Sequence, residues 1–156
     1  MKKYAGFCGV VLIIFALIAI IVGGIFTWQG LSKTQQIKAQ AVIENVQVGL
    51  SEDQIKAGEV VDTIPEFENA ANTITEHKMG IAKTYKEALD GKKYDPTNPK
   101  QLTYAQAMNL ENALRIGMIS SGLALTMIGH GLFYIMTGVA FLLVGIYMIM
   151  RSKQEA

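Results

Sequence analysis

The sequence predicts an all-α membrane protein. Two antiparallel transmembrane helices flank a mostly helical extracytoplasmic domain, and the long C-terminal helix runs continuously from that domain into the membrane. Three observations predict this. Ile116 to Met150 is a run of 35 residues without Asp, Glu, Lys or Arg. Small residues recur at every seventh position in both apolar ends of the chain. Lys2, Lys3, Arg151 and Lys153 flank those ends on their outer sides.

As a helix, the 35-residue run would be roughly 52 Å long at ~1.5 Å per residue. A hydrocarbon core is only about 30 Å thick. The run is too long for one span and too short for two joined by a turn. It contains no Pro, Asn or Asp to make one. It therefore reads as one helix, with 130–150 crossing the bilayer and 116–129 standing inside a folded domain.

Within it, Gly117, Ala124, Gly131, Gly138 and Gly145 are seven apart. A step of seven returns to nearly the same helix face, so these residues form a seam. Small residues in a seam let a second backbone come close, as membrane helices require. The first apolar run carries Gly9, Ala16, Gly23 and Gly30 at the same spacing. With antiparallel helices, Gly9 would face Gly145, Ala16 would face Gly138, and Gly23 would face Gly131. The same spacing would also serve contacts between chains.

At the N-terminus, Lys2 and Lys3 precede 25 apolar residues, Tyr4 to Trp28. That exceeds the ~7–15 residue core of a signal peptide, and no A-x-A site follows. The segment 5–28 is predicted to be an uncleaved span, with Trp28 as an interfacial aromatic. Residues 1–4 and 151–156 become cytoplasmic flanks, and 29–129 the extracytoplasmic domain. The positive-inside rule places both termini in the cytoplasm of a cell-membrane protein.

The middle of the chain reads as helix with interruptions. Leu31, Ile37 and Ala41 extend the first helix by about two turns. Ala41 to Val48 alternates weakly and predicts a short extended segment. Gly49 to Gly58 reads as a loop. Thr63-Ile64-Pro65-Glu66 is a helix start. Phe67, Ala70, Ala71, Ile74 and Ile81 give that helix one apolar face, ending near Gly80. Thr84 to Leu89 adds a turn or two, stopped by Asp90-Gly91. Lys92 to Lys100, with Pro96 and Pro99, is a loop. Thr103 is then expected to cap the last helix, whose buried face opens with Tyr104, Ala107, Met108, Leu110 and Leu114.

Composition excludes several function classes. Net charge is +1, which gives no basis for a nucleic-acid partner. Cys8 is the single cysteine, so no intrachain disulfide exists. No phosphate-binding glycine loop, nucleophile triad or paired cysteine motif occurs. A mononuclear iron site needs about two histidines and a carboxylate. The chain has only His77 and His130, and Glu76 points away from its neighbour on a helix. Met108, Met118, Met127, Met136, Met148 and Met150 spread over several helix faces, as packing residues do. No cofactor, metal or catalytic residue is therefore assigned.

Four residues remain as candidate ligand or partner contacts: His77, Arg115, His130 and Tyr134. His130 and Tyr134 share a helix face. Arg115 heads the apolar run and is expected to pair with Glu76 or Glu111. His77, Thr84-Tyr85, Leu89, Leu114-Arg115 and the glycine-rich last span resemble a family of small bacterial two-span membrane proteins. The resemblance covers about the second half of the chain; Lys83 and the lysine-rich 92–100 segment depart from it. Some members carry an aromatic-ring-opening dioxygenase label, a chemistry the residues here do not supply. The resemblance supports the topology. The functional expectation is a non-enzymatic membrane protein acting by assembly, as an accessory subunit of an envelope complex or a homo-oligomer. Its partners would be membrane lipids and other membrane subunits or itself. The alternative is a membrane-anchored module that binds or senses a small ligand or lipid.

Overall fold

A computed structural model describes residues 2–154. Met1, Glu155 and Ala156, parts of the predicted cytoplasmic flanks, lie outside the described residues. Five helices follow in order: α1 (Lys2–Glu44), α2 (Glu52–Lys56), α3 (Ile64–Ile81), α4 (Tyr85–Leu89) and α5 (Pro99–Gln154). No strand occurs among the described residues. The chain divides into two compact units. One comprises 1–34 with 123–156, and the other 35–122.

The two-helix unit is built from the apolar parts of α1 and α5. Mean hydropathy of their most apolar windows is 3.1 and 2.2, and only 11% of either window is buried within the protein. Both helices are long and apolar enough to cross a membrane. The buried residues described in this unit are all small. They are Gly9, Ala16, Gly23 and Gly30 on α1, and Ala124, Gly131, Gly138 and Gly145 on α5. Large side chains such as Phe7, Phe15, Ile21, Phe133, Met136 and Leu143 are exposed. A seven-residue spacing on both helices keeps one narrow face turned inward over several turns.

The middle unit has a conventional core. Val61, Phe67, Ala70, Ala71, Ile74 and Leu114 are buried together, with Ile37, Val46, Val48 and Leu50 packed against them. A second cluster joins Ala82, Ala88 and Tyr104, with Ile81 and Met108 beside it. The apolar face read from the sequence for α3 supplies four of the first cluster's members. Glu66 secures the start of α3: one carboxylate oxygen accepts from the Asp62 and Thr63 backbone N–H groups at 3.1 and 3.0 Å.

Several sequence expectations need correction here. The extended segment over Ala41 to Val48 is absent. The first helix runs beyond the two turns expected, to Glu44, and Asn45 ends it in the left-handed region at φ 46°. Asn tolerates that conformation better than other non-glycine residues. Val46 and Val48 do face the core, but as a connector. The Val46 carbonyl accepts from Val61 N–H at 2.8 Å. The Gly49–Gly58 loop contains α2, started by a capping box: Gln54 N–H donates to Ser51 Oγ at 3.4 Å, and Ser51 N–H donates to Gln54 Oε1 at 3.1 Å.

The last helix begins at Pro99, inside the predicted loop, and its cap is Asn98 rather than Thr103. Asn98 Oδ1 accepts from the N–H groups of Lys100 and Gln101 at 3.0 and 3.3 Å. Thr103 instead donates its hydroxyl to the Pro99 carbonyl at 2.8 Å. Proline at the first helical position needs no N–H partner, so the Asn98-Pro99 pair is a sufficient start. Leu110, expected in the buried face, is 36% exposed.

Candidate functional site

The helix seam is the most closely packed feature of the two-helix unit. A Cβ added at Gly9 would lie 2.8 Å from the Gly145 carbonyl oxygen, and one at Gly145 would lie 2.8 Å from that of Gly9. At Gly23 it would lie 2.6 Å from the Gly131 carbonyl, and at Gly138, 2.8 Å from that of Ala16. At Gly30 it would meet the Ala124 carbonyl at 2.7 Å. An isoleucine Cγ1 also stands within 2.9 Å of each, but the carbonyl is backbone, which no side-chain rotation can clear. Thr27 fills the space beside Gly131 and donates its hydroxyl back to the Gly23 carbonyl at 2.9 Å. Such close approach brings carbonyl dipoles against Cα–H groups, a weak attraction that recurs at helix interfaces. Gly117, placed in the same seam by its spacing, belongs to the middle unit instead. Its missing Cβ accommodates the Phe67 ring, whose Cε1 would be 2.7 Å away.

In the middle unit, α3 and α5 meet through an ion-pair cluster. Glu111 is 7% exposed. Its carboxylate accepts from Lys78 Nζ on one oxygen. The other oxygen accepts from Arg115 Nε at 3.0 Å, with Arg115 Nη2 also 3.0 Å away. Arg115 Nη2 donates to Thr75 Oγ1 at 3.2 Å. The Lys78 hydrogen bond outweighs desolvation, and with Thr75 and Arg115 holds the Glu111 carboxyl from 4.5 down to about 2. Of the two partners expected for Arg115, Glu111 is the one it meets; Glu76 is exposed. The cluster joins two helices by satisfied charges and leaves Arg115 occupied within the unit. Lys78 and Thr75 carry no local signal in the sequence that would have found them, because their partner lies on another helix.

Beside the core, α1 and α5 enclose an apolar groove of about 610 Å³. Ile37 and Ala41 form one wall, and Leu110, Leu114 and Gly117 the other. Phe67 and Val61 floor it, and Gln36, Gln40, Glu44 and Ser120 supply its polar groups. Of its lining residues, Ile116 is 63% exposed and Leu110 36%. The Leu31–Ile37–Ala41 spacing pointed to α1 as a helix here but not to a groove.

The other candidates lie apart. His77 is exposed on α3. His130 and Tyr134 are exposed on α5 in the two-helix unit and line a shallow notch there. Among the described residues, no group of three His, Cys, Asp or Glu side chains could hold a metal ion. The arrangement defines a class, an all-helical chain with two helices long and apolar enough to cross a membrane. Comparison with family models, with curated proteins and with solved structures gives no match.

Proposed function

We propose that this chain is a non-enzymatic integral membrane protein that acts by assembly, as a small accessory subunit of an envelope complex or as a homo-oligomer. In this reading α1 and α5 cross the cell membrane antiparallel, with both termini cytoplasmic and the middle unit outside. Burial of only 11% in each apolar window supports lipid around both helices, because a water-soluble core helix would be covered by its own chain. The close contacts between the two glycine series support the antiparallel pairing.

The observation that carries assembly is the apolar groove of the middle unit with its exposed rim. Its mostly apolar lining includes Ile116, 63% exposed, and Leu110, 36% exposed, an open apolar surface of the kind that marks an interaction site. The seam itself is occupied within the chain, so contacts to a partner fall to this surface. The test is a size and composition measurement of the full chain in nanodiscs, with Ile116→Glu and Leu110→Glu as companions. The expected result is a complex larger than one chain, or a stoichiometric membrane partner, lost in both variants. A lone monomer with no companion would overturn assembly.

A second reading uses the same groove. Its volume falls within the ~300–1,000 Å³ typical of small-molecule sites, and its lining is mostly apolar with a few polar groups. A small amphiphilic ligand found at one per chain after extraction would favour a binding or sensing module.

A further inference from the structure

We propose that the notch on α5 formed by Thr126, Gly129, His130, Phe133 and Tyr134 binds the ammonium of an ethanolamine phospholipid. The proposal rests on reading α5 as a membrane span, and it adds a lipid headgroup site to that reading.

The notch measures about 450 Å³ and is open at Gly129, where an added Cβ would meet nothing within 4 Å. His130 Nδ1 stands 2.9 Å from the Thr126 carbonyl oxygen. A carbonyl can only accept, so the contact fits the tautomer with its proton on Nδ1, in which Nε2 is the acceptor. An exposed acceptor in this position calls for a donor. Tyr134, four residues on, shares the face of His130. Its ring is braced by Phe26 at 6.3 Å and 29°, and by Phe133 at 6.2 Å and 61°. Aromatic rings attract a cation over their faces, and two of them, Phe133 and Tyr134, line this notch beside His130.

No Lys or Arg lines the notch, so a phosphate finds no charged partner there. A primary ammonium satisfies both features, donating to Nε2 and lying against the rings. A quaternary ammonium keeps only the ring contact, and an uncharged glycerol head loses the cation. Depth agrees with a headgroup. His130 lies 21 residues before Arg151, about 31 Å along a helix, close to the ~30 Å hydrocarbon thickness. Gly131 lies against Thr27, which sets His130 level with Trp28, a residue 70% exposed. Trp and Tyr concentrate at such interfaces.

The test reconstitutes the full chain in nanodiscs of equimolar dioleoyl phosphatidylethanolamine, phosphatidylcholine and phosphatidylglycerol. Mild detergent release and native mass spectrometry then count the lipids that stay bound. Phosphatidylethanolamine should exceed phosphatidylglycerol by about two- to fivefold, the span of an exposed cation–π contact, with phosphatidylcholine between them. His130→Leu and Tyr134→Leu should each bring the ratio toward one. His130→Gln, whose amide oxygen still accepts, and Tyr134→Phe, which keeps the ring face, should retain most of it. Equal retention of all three lipids, or preference for phosphatidylglycerol, would overturn the site while leaving the span intact. A second chain covering the notch, seen as a dimer that retains no lipid, would also overturn it. Failure to enter nanodiscs at all would instead strike the membrane reading beneath it.

Discussion

Gly23→Ala should weaken the two-helix unit, whereas Gly24→Ala, the same change one residue along, should not. At Gly23 the new methyl would sit 2.6 Å from the Gly131 carbonyl oxygen and 2.9 Å from Ile135 N. Ordinary contact begins near 3.4 Å, so the helices must part by about 0.8 Å at this level. Both obstacles are backbone, so the separation spreads to the neighbouring contacts at Ala16 and Gly30. Overpacking of this kind costs about 1–3 kcal/mol. Replacing a helical glycine by alanine returns up to about 1 kcal/mol. With the full return subtracted, the net loss at Gly23 is about 0–2 kcal/mol, a fall in midpoint of up to roughly 8 °C for a chain of this length. Gly24 meets nothing within 4 Å, so it keeps the propensity gain of up to about 1 kcal/mol alone. Thermal unfolding of both variants in one mild detergent, followed by circular dichroism, reads the difference. Equal midpoints, or Gly24→Ala falling further, would refute the close-approach argument.

Two further outcomes follow from the middle unit. The Glu111 carboxyl sits at about 2 in the folded protein against 4.5 unperturbed. Its stabilisation is complete above the unfolded value and is lost as pH falls from about 5 toward 2, amounting to roughly 3 kcal/mol. Acid titration of stability should show this loss. Glu111→Gln should remove that part of the pH dependence and be destabilised at neutral pH, because Lys78 is left 17% exposed without its partner. Gly117→Ala should press a methyl against the Phe67 ring, 2.7 Å away. It should lower stability by about 1–3 kcal/mol in the same melts.

The parts of the fold legible in the sequence were those with a repeating signal. Long uncharged runs identified the two apolar helices, and the period of seven picked out Gly9 through Gly30 and Ala124 through Gly145. Those residues are small and buried because each lies against the backbone of the other helix. Pattern failed where a short local cue had to compete with it. Asn98-Pro99 moved the start of α5 four residues ahead of Thr103, and Ser51 with Gln54 made a helix from an expected loop. The alternation of Val42, Val46 and Val48 was too brief to signal a strand: Val42 continues the first helix, and Val46 and Val48 lie in the connector after Asn45.

The candidate site was legible only in part. Glu111 and Arg115 are four apart on one helix, so their pairing was within reach. Lys78 completes the cluster from a different helix, and single-sequence spacing does not carry such a contact. The groove likewise arises from two chain segments about 70 residues apart, Ile37–Ala41 and Leu110–Gly117. Gly117 had the right period for the seam, yet tertiary packing gave it to Phe67.

Disulfide trapping across the chain ends tests the paired-helix account most directly. The Cβ added at Gly6 lies 3.7 Å from Ser152 Cβ, inside the ~3.5–4.5 Å range a disulfide uses. With Cys8→Ala to remove the native thiol, Gly6→Cys and Ser152→Cys together should cross-link within one chain in intact membranes. Gly24→Cys with Ser152→Cys should not. No intrachain bond at 6–152, or equal bonding of both pairs, would contradict the account.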